Sequence, residues 1–337
     1  MKIFIVTMPL LNNYGGLLQN FALQNILIKL GHQVETIDYI RNPSSSFGRC
    51  LLSWIKSSVL YFIPSKKRGF VKFKNIGVRR SFSNSFIKTY IRTSSTTIQY
   101  SRKLIKGNSK IALVVGSDQV WRPKYNYCIE DMYLKFAKNL AVRRIAYAAS
   151  FGVDNWEYSS KLTKVCSSFA KKFDAISVRE KSGIKLCNDY LGVDATWVLD
   201  PTLLLTKEDY LPICSNVPVC TERFLAVYIL DENEEVSTIC EKEARTRKLV
   251  VKKFYAGSKS TLTVPEWLAM FRDASYVVTD SFHGTIFSII FGKEFKCIYN
   301  KNRGSARFES LVNLYNSGKI EQMRNFSINW LKKILEK

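Results

Sequence analysis

A chain of 337 residues is long enough for two ordinary domains, since single hydrophobic cores stop growing near ~250 to 300 residues. Its 46% hydrophobic content, and an opening MKIFIVTMPLLNNYGG whose apolar stretch is shorter than a signal peptide or membrane span, exclude a membrane-embedded class and lead us to expect a cytoplasmic protein. Eight cysteines without a C-x-x-C pair, and only two histidines, give no zinc ligand set and no disulfide framework, while a formal charge of +23 requires an account of its partners.

Apolar runs of strand length alternate with helix-like stretches. The first unit is KIFIVTM (2 to 8), a helix pattern in 17 to 31, and QVETIDYI (33 to 40), which reads as βαβ. Between Asp38 and Asp118 there is no acidic residue, and the stretch holds Arg49, Lys56, Lys66, Lys67, Arg68, Lys72, Lys74, Arg79 and Arg80 among its cations. A one-sign block attracts polyanions. Within it, CLLSWIKSSVLYFIP (50 to 64) is too short and too interrupted to span a bilayer. Trp54, Tyr61 and Phe62, flanked by Lys66, Lys67 and Arg68, suit an anionic membrane surface, so residues 50 to 110 are expected to allow peripheral attachment to the inner face of a membrane. No nucleic-acid motif is present, and no specific nucleic-acid partner is expected.

After this insert (41 to 108) come strand-like KIALVVGSD (110 to 118), RIAYAAS (144 to 150), AISVRE (175 to 180) and TWVLDP (196 to 201), with helical stretches at 155 to 172 and 181 to 191. A second series runs through RFLAVYIL (223 to 230), KLVVKKFY (248 to 255), a helix near 265 to 273, SYVVTD, a helix from 284, and EFKCIYN (294 to 300). The pattern predicts α/β architecture with mainly parallel sheets in two Rossmann-like domains. We divide it into an N-terminal domain, 1 to 205, on the acceptor side, a C-terminal domain, 206 to 310, and a closing helical segment, 311 to 337, whose SINWLKKILEK is amphipathic.

In open α/β sheets ligands bind beyond the carboxyl ends of the strands, where helix N-termini present unpaired N–H groups. The unusual residues fall there. Asn13, Tyr14, Gly15 and Gly16 follow the first strand; Ser117, Asp118 and Gln119 follow the strand beginning near Ile111; Arg179 ends AISV; and Ser281, His283, Gly284 and Thr285 follow VVTD. Gly15-Gly16 is neither a dinucleotide fingerprint nor a phosphate loop, and a glycine pair more often marks a tight turn. His283 is placed in a loop between a strand end and a helix N-terminus, where an anion and a proton donor can meet.

Taken in order, NNYGGLLQNFALQ, VVGSDQVWRP, AYAASFG, SVREKSG, VLDPTLLL and VTDSFHGTIFSIIFGKEF resemble the motif set of polysaccharide pyruvyl transferases, over about residues 1 to 310. The departures are Gly16 in place of a frequent alanine and Arg122 in place of a frequent asparagine. The resemblance implies a fold similar to GT-B glycosyltransferases, with two domains facing a cleft. It implies phosphoenolpyruvate as donor and a sugar, lipid-linked or nucleotide-linked, as acceptor, with a cyclic pyruvate ketal as product, phosphate released, and neither metal nor further cofactor. Carried onto matching positions, His283 and Arg179 are the essential residues, facing one another across the cleft, each removable without loss of the fold.

On this reading Arg179 grips a donor anion in two-point fashion, and His283, kept protonated by the bound charges, is either the general acid or a phosphate ligand. Asp118 is the acceptor's base or a structural turn residue, and the neighbours named above are substrate-binding. The alternatives are a GT-B glycosyltransferase with a nucleotide-sugar donor and, from another class, a nucleic-acid-binding protein.

Overall fold

The computed structural model describes residues 1–38, 82–94, 110–126, 128–299 and 306–336. The expected membrane-facing stretch, 50 to 64 with Lys66, Lys67 and Arg68, lies outside the described residues.

Two all-parallel sheets carry the fold. The first holds β1 (Lys2–Val6), β2 (Gln33–Ile37), β3 (Ile111–Gly116), β4 (Arg143–Ala149), β5 (Ala175–Val178) and β6 (Thr196–Trp197) in the order β2-β1-β3-β4-β5-β6. The second holds β7 (Phe224–Tyr228), β8 (Val250–Phe254), β9 (Tyr276–Thr279) and β10 (Phe295–Cys297) in the order β10-β9-β7-β8. In each sheet the chain leaves one central strand for a neighbour on one side and later returns to its other side. The switch points therefore lie between β1 and β3 and between β7 and β9, and ligands are expected beyond their carboxyl ends.

Parallel strands covered on both faces need apolar side chains on both, which is why these read as unbroken hydrophobic runs. Ile3 and Ile5 point to one side of the first sheet, Phe4 and Val6 to the other, and Phe224 and Ala226 alternate with Leu225 and Val227 in the second. The facing sides of the two sheets join one contiguous core, where a length of 337 residues suggested a core for each domain. It runs from Ile3 and Leu18 through Tyr210, Trp267 and Phe287 to Leu331. Tyr14 stacks on Trp267 with centroids 5.1 Å apart, and Tyr210 meets Phe287 edge-on at 5.0 Å.

Helices in chain order are α1 (Tyr14–Lys29), α2 (Ser83–Tyr90), α3 (Ser160–Ala170), α4 (Ser182–Leu186), α5 (Lys207–Tyr210), α6 (Glu234–Arg247), α7 (Val264–Asp273), α8 (Phe282–Ile290), α9 (Ala306–Asn316) and α10 (Ile320–Glu336). Two begin earlier than periodicity indicated, because their caps are polar residues read as loop. Asn13 accepts from Gly16 N at 3.3 Å, so the Gly15-Gly16 pair forms the first turn of α1 instead of a tight turn. Ser281 accepts from Gly284 N at 3.3 Å, which makes His283 the second residue of α8.

The closing helix α10 returns to the first sheet. Arg143 donates to the carbonyls of Ile334 (2.6 Å) and Leu335 (3.3 Å), satisfying groups left open at the helix C-terminus, and Leu199 N donates to Ser327 Oγ at 3.0 Å. No described helix is long and apolar enough to cross a membrane.

Candidate active site

The two switch points meet at Gly15 and His283. The imidazole lies so close to the first turn of α1 that a Cβ on Gly15 would overlap Nδ1, so only glycine admits the ring. Nε2 of His283 lies 3.9 Å from Oδ2 of Asp200, just past β6, and has no hydrogen-bond partner among the described residues.

Asp200 organises the first-domain side. Its Oδ2 accepts from Arg179 Nη1 at 3.0 Å and from Gln19 Nε2, and its Oδ1 accepts from Thr202 N at 3.0 Å and Thr202 Oγ1 at 2.6 Å. Gln19 also donates to Ser117 Oγ at 2.9 Å. Burial penalises the Asp200 carboxylate. The positive groups facing it, His283 when charged and Arg179 at all times, together with the Thr202 donors, hold its pKa below the ordinary carboxylate value.

Arg179 is largely committed. Its side chain is 1% exposed, with Nη1 on Asp200, Nη2 on Ser150 Oγ at 3.0 Å, and Nε, 3.8 Å from Glu180 Oε2, without a hydrogen-bond partner among the described residues. Burial disfavours its charge, but Asp200 and Glu180 more than offset that and raise its pKa. The two-point grip on a donor anion expected of Arg179 is therefore closed in this arrangement, because Asp200 already takes Nη1 and Ser150 takes Nη2. Nor do Arg179 and His283 face one another across an open cleft; they meet through Asp200. Glu180 is likewise committed, accepting from Ser150 Oγ (3.0 Å), Phe151 N (2.8 Å) and Gly152 N (3.1 Å).

The second-domain side carries unspent groups. Burial, the largest influence, lowers the His283 pKa to about 4; Asp200 and Asp118 oppose this, and Arg179 and Arg307 add to it. At neutral pH the imidazole of the unliganded protein is therefore neutral, and the protonation expected from bound charges concerns the donor-bound form. Arg307, in the first turn of α9, is 9% exposed and its Nε has no partner among the described residues. Burial first, then the like charge of Arg179, lowers its pKa to about 10, with Asp118 and Glu180 opposing and Arg122 adding to the fall. The guanidinium carbons of Arg179 and Arg307 lie 4.6 and 5.4 Å from the centroid of the Phe282 ring.

The other expected residues fall into two groups. Asp118, partly buried, accepts from Asn13 Nδ2 at 3.5 Å and from Gln119 N at 2.8 Å, and exposed Asn13 completes that edge of the site. Ser117, Gln119, Ser281, Gly284, Thr285 and Tyr14 are held by the protein itself. Tyr14 donates to Leu262 O at 2.5 Å and bonds Ser260, tying the two sheets together, with its pKa pushed up to about 12 mainly by burial. Gln119 Oε1 accepts from Arg122, whose other nitrogens grip Glu157 at 3.2 Å each. Ser117 Oγ lies 3.4 Å from Ala148 O, Thr285 Oγ1 donates to Ser281 O at 3.1 Å, and a Cβ on Gly284 would overlap the Thr279 hydroxyl. Asp280 accepts from the amides of Leu230 (2.6 Å) and Asp231 (3.0 Å), joining the ends of β7 and β9.

Asp200 was noted by sequence only as a strand-end residue after TWVL, with no role, and Gln19, Ser150, Glu180 and Arg307 were not singled out. Gln19 had a weak signal, as one of four amide side chains, with Asn20, Gln24 and Asn25, in a helical stretch. Arg307 had none, since only the return of α9 brings it under Phe282. Among the described residues no cluster of histidine, cysteine and carboxylate groups could hold a metal ion.

Two parallel switch-point sheets with their strand ends apposed define the GT-B-like class. A UDP-GlcNAc 2-epimerase from Neisseria meningitidis bound to UDP-GlcNAc superposes with a TM-score of 0.53 at 10% identity, covering 99% of each chain. More distant are a UDP-GlcNAc 2-epimerase from Methanocaldococcus jannaschii, TM-score 0.46 at 10% identity over 93% of this chain and 87% of the other, and the Escherichia coli heptosyltransferase WaaC, 0.40 at 11% over 90% and 92%. The model of the family "Polysaccharide pyruvyl transferase" matches residues 13–302, and the chain belongs to that family. No curated protein sequence matches it.

Proposed function

We propose that the protein transfers the enolpyruvyl group of phosphoenolpyruvate onto two hydroxyls of a sugar, forming a pyruvate ketal in surface polysaccharide synthesis and releasing phosphate. The observation that supports this reading is a pair of buried nitrogens without partners among the described residues, Arg307 Nε and His283 Nε2, near the meeting of the switch points. A buried guanidinium with an unpaired N–H is costly unless an anion completes it. Phosphoenolpyruvate carries two such groups.

The balance of the reaction matches a neutral imidazole. The first sugar hydroxyl adds to the central carbon while its proton is replaced on the methylene, which becomes a methyl group. The bond from that carbon to the phosphate oxygen then breaks, the second hydroxyl bonds to the same carbon, and its proton leaves with phosphate. His283 takes the hydroxyl proton, becomes imidazolium beside Asp200, and returns a proton to the methylene. Arg307 neutralises the departing phosphate, and Arg179 acts through Asp200, keeping that carboxylate ionised and in place. Asp118, on the exposed edge with Asn13, is positioned toward the acceptor.

The test is phosphate release from phosphoenolpyruvate across a panel of lipid-linked and nucleotide-linked sugars. In Arg307→Ala, donor KM should rise by ~100-fold, the scale for a lost charge clamp, with the melting temperature unchanged. A melting temperature shifted by a nucleotide sugar and indifferent to phosphoenolpyruvate would overturn the reading. The likeness to nucleotide-sugar proteins is one of fold, and fold does not carry the donor.

A further inference from the structure

Helix α9 links the site to a second cavity. Arg307 stands in its first turn, Ser310 and Leu314, three and seven residues on, follow the same face, and Ser317 lies just past its end. These last three line a groove of about 710 Å³ bounded on its other sides by the edge of β6, the start of α4 and the first turns of α10. At 1.5 Å per residue Leu314 lies about 10 Å from Arg307 along the helix. Its near wall is tied to the site, because Trp197, which lines it, donates Nε1 to the backbone carbonyl of Arg179 at 3.0 Å.

The lining has a chemical character of its own. Trp197, Met323 and Phe326 give flat or apolar surface, and Phe326 is 47% exposed although nothing in its own chain requires that. Thr196, Asn313 and Gln322 place hydroxyl and amide groups between them. Lys181 and Lys319 stand on different walls, Lys181 with its Nζ 4.6 Å from the Trp197 ring centroid, and no acidic residue is in the lining. The volume is that of a ligand site. Aromatic faces with interspersed amides suit the apolar faces and hydroxyls of sugar rings, and two separated cations without a counter-charge call for an anionic ligand.

We propose that this groove holds an acidic oligosaccharide segment of the acceptor, with carboxylate-bearing sugars against Lys181 and Lys319, while the sugar that receives the pyruvyl group sits at His283. The proposal rests on the acceptor reading above and adds to it that the acceptor is recognised over several residues, one of them acidic.

Calorimetric titration of the intact protein, without donor, tests it. Trigalacturonic acid should bind at least tenfold more tightly than maltotriose or N-acetylglucosamine 1-phosphate. The double variant Lys181→Ser, Lys319→Ser should lose at least tenfold of that affinity, and Phe326→Ser several-fold. No binding of trigalacturonic acid, equal binding by the double variant, or equal binding of the sugar phosphate would overturn the proposal. Trigalacturonic acid binding that is lost in the double variant, with no phosphate release from phosphoenolpyruvate on any acceptor, would overturn the reaction and uphold the groove.

Discussion

The two switch points differ in how their polar groups are used. Beyond the first sheet, Arg179, Asp200, Glu180, Gln19 and Ser150 are buried and bonded to one another, with Arg179 Nε, Glu180 Oε2 and Gln19 Oε1 left over. Beyond the second, His283 Nε2 and Arg307 Nε have no partner among the described residues. A buried network of charge-assisted bonds is costly to break, whereas an unpartnered buried polar group is costly to keep. We read the first side, with the denser network, as a frame and the second as the side kept for a ligand. Charge type alone would not separate them, since an arginine stands on each.

The sharpest way to break the contrast is to remove each arginine. Arg179→Ala leaves Asp200 and Glu180 buried without their cation, and should cost about 3–5 kcal/mol of stability, read as a large fall in the urea midpoint. The sequence reading had this variant folding normally. If Arg179→Ala and Arg307→Ala prove equally stable, the division into frame and ligand side fails.

His283→Ala should lower turnover by ~100-fold or more, the scale of a lost proton-transfer group, while the fold survives. Full activity in the purified variant would remove His283 from the chemistry.

A third effect concerns pH. His283 has a folded pKa of about 4, below the 6.5 of the exposed group, so the unfolded chain binds the proton more readily. Its contribution is complete above pH 6.5 and is lost as pH falls through about 4. It amounts to roughly 3 kcal/mol, at 1.36 kcal/mol per unit over about 2.5 units. His283→Gln should flatten this part of the acid limb, leaving the loss from Asp200, whose lowered pKa acts in the same direction. An unchanged slope between pH 6.5 and 4 would show that the ring is solvated.

The smallest effects come from the glycine pair. Gly15→Ala drives a methyl into the imidazole and should cost about 1–3 kcal/mol, with an activity loss as His283 is displaced. At Gly16 a Cβ would sit 3.1 Å from Asn13 Nδ2 and 3.5 Å from Asp118 Oδ2, so Gly16→Ala should stay within about 0.5 kcal/mol and keep activity. Equal effects at the two positions would contradict the close approach.

Much of this architecture was legible in the sequence because it depends on local pattern. Runs such as IALVVG and FLAVY announce buried parallel strands, and the turns after them announce where ligands go. His283 was legible too, as a scarce residue at a strand end. Helix starts were missed by a few residues where a polar cap looked like loop, at Asn13 and Ser281, α6 was missed because its apolar positions are sparse, and the helical segment read from 311 begins at Ala306.

What sequence could not decide is how far each charged group is already spent. Arg179 and Arg307 carry the same side chain, and nothing within a few residues of either tells them apart. Their difference is made by Asp200, 21 residues from Arg179, and Ser150, 29 residues from it, brought in by different strands. Burial shifts the His283 pKa in the same non-local way, through the close approach of Gly15 and a core shared by both sheets. Hydrophobic periodicity is a property of neighbours along the chain and survives in one dimension. Pairing and desolvation depend on distances between remote segments, so they are fixed only when the two sheets close on one another.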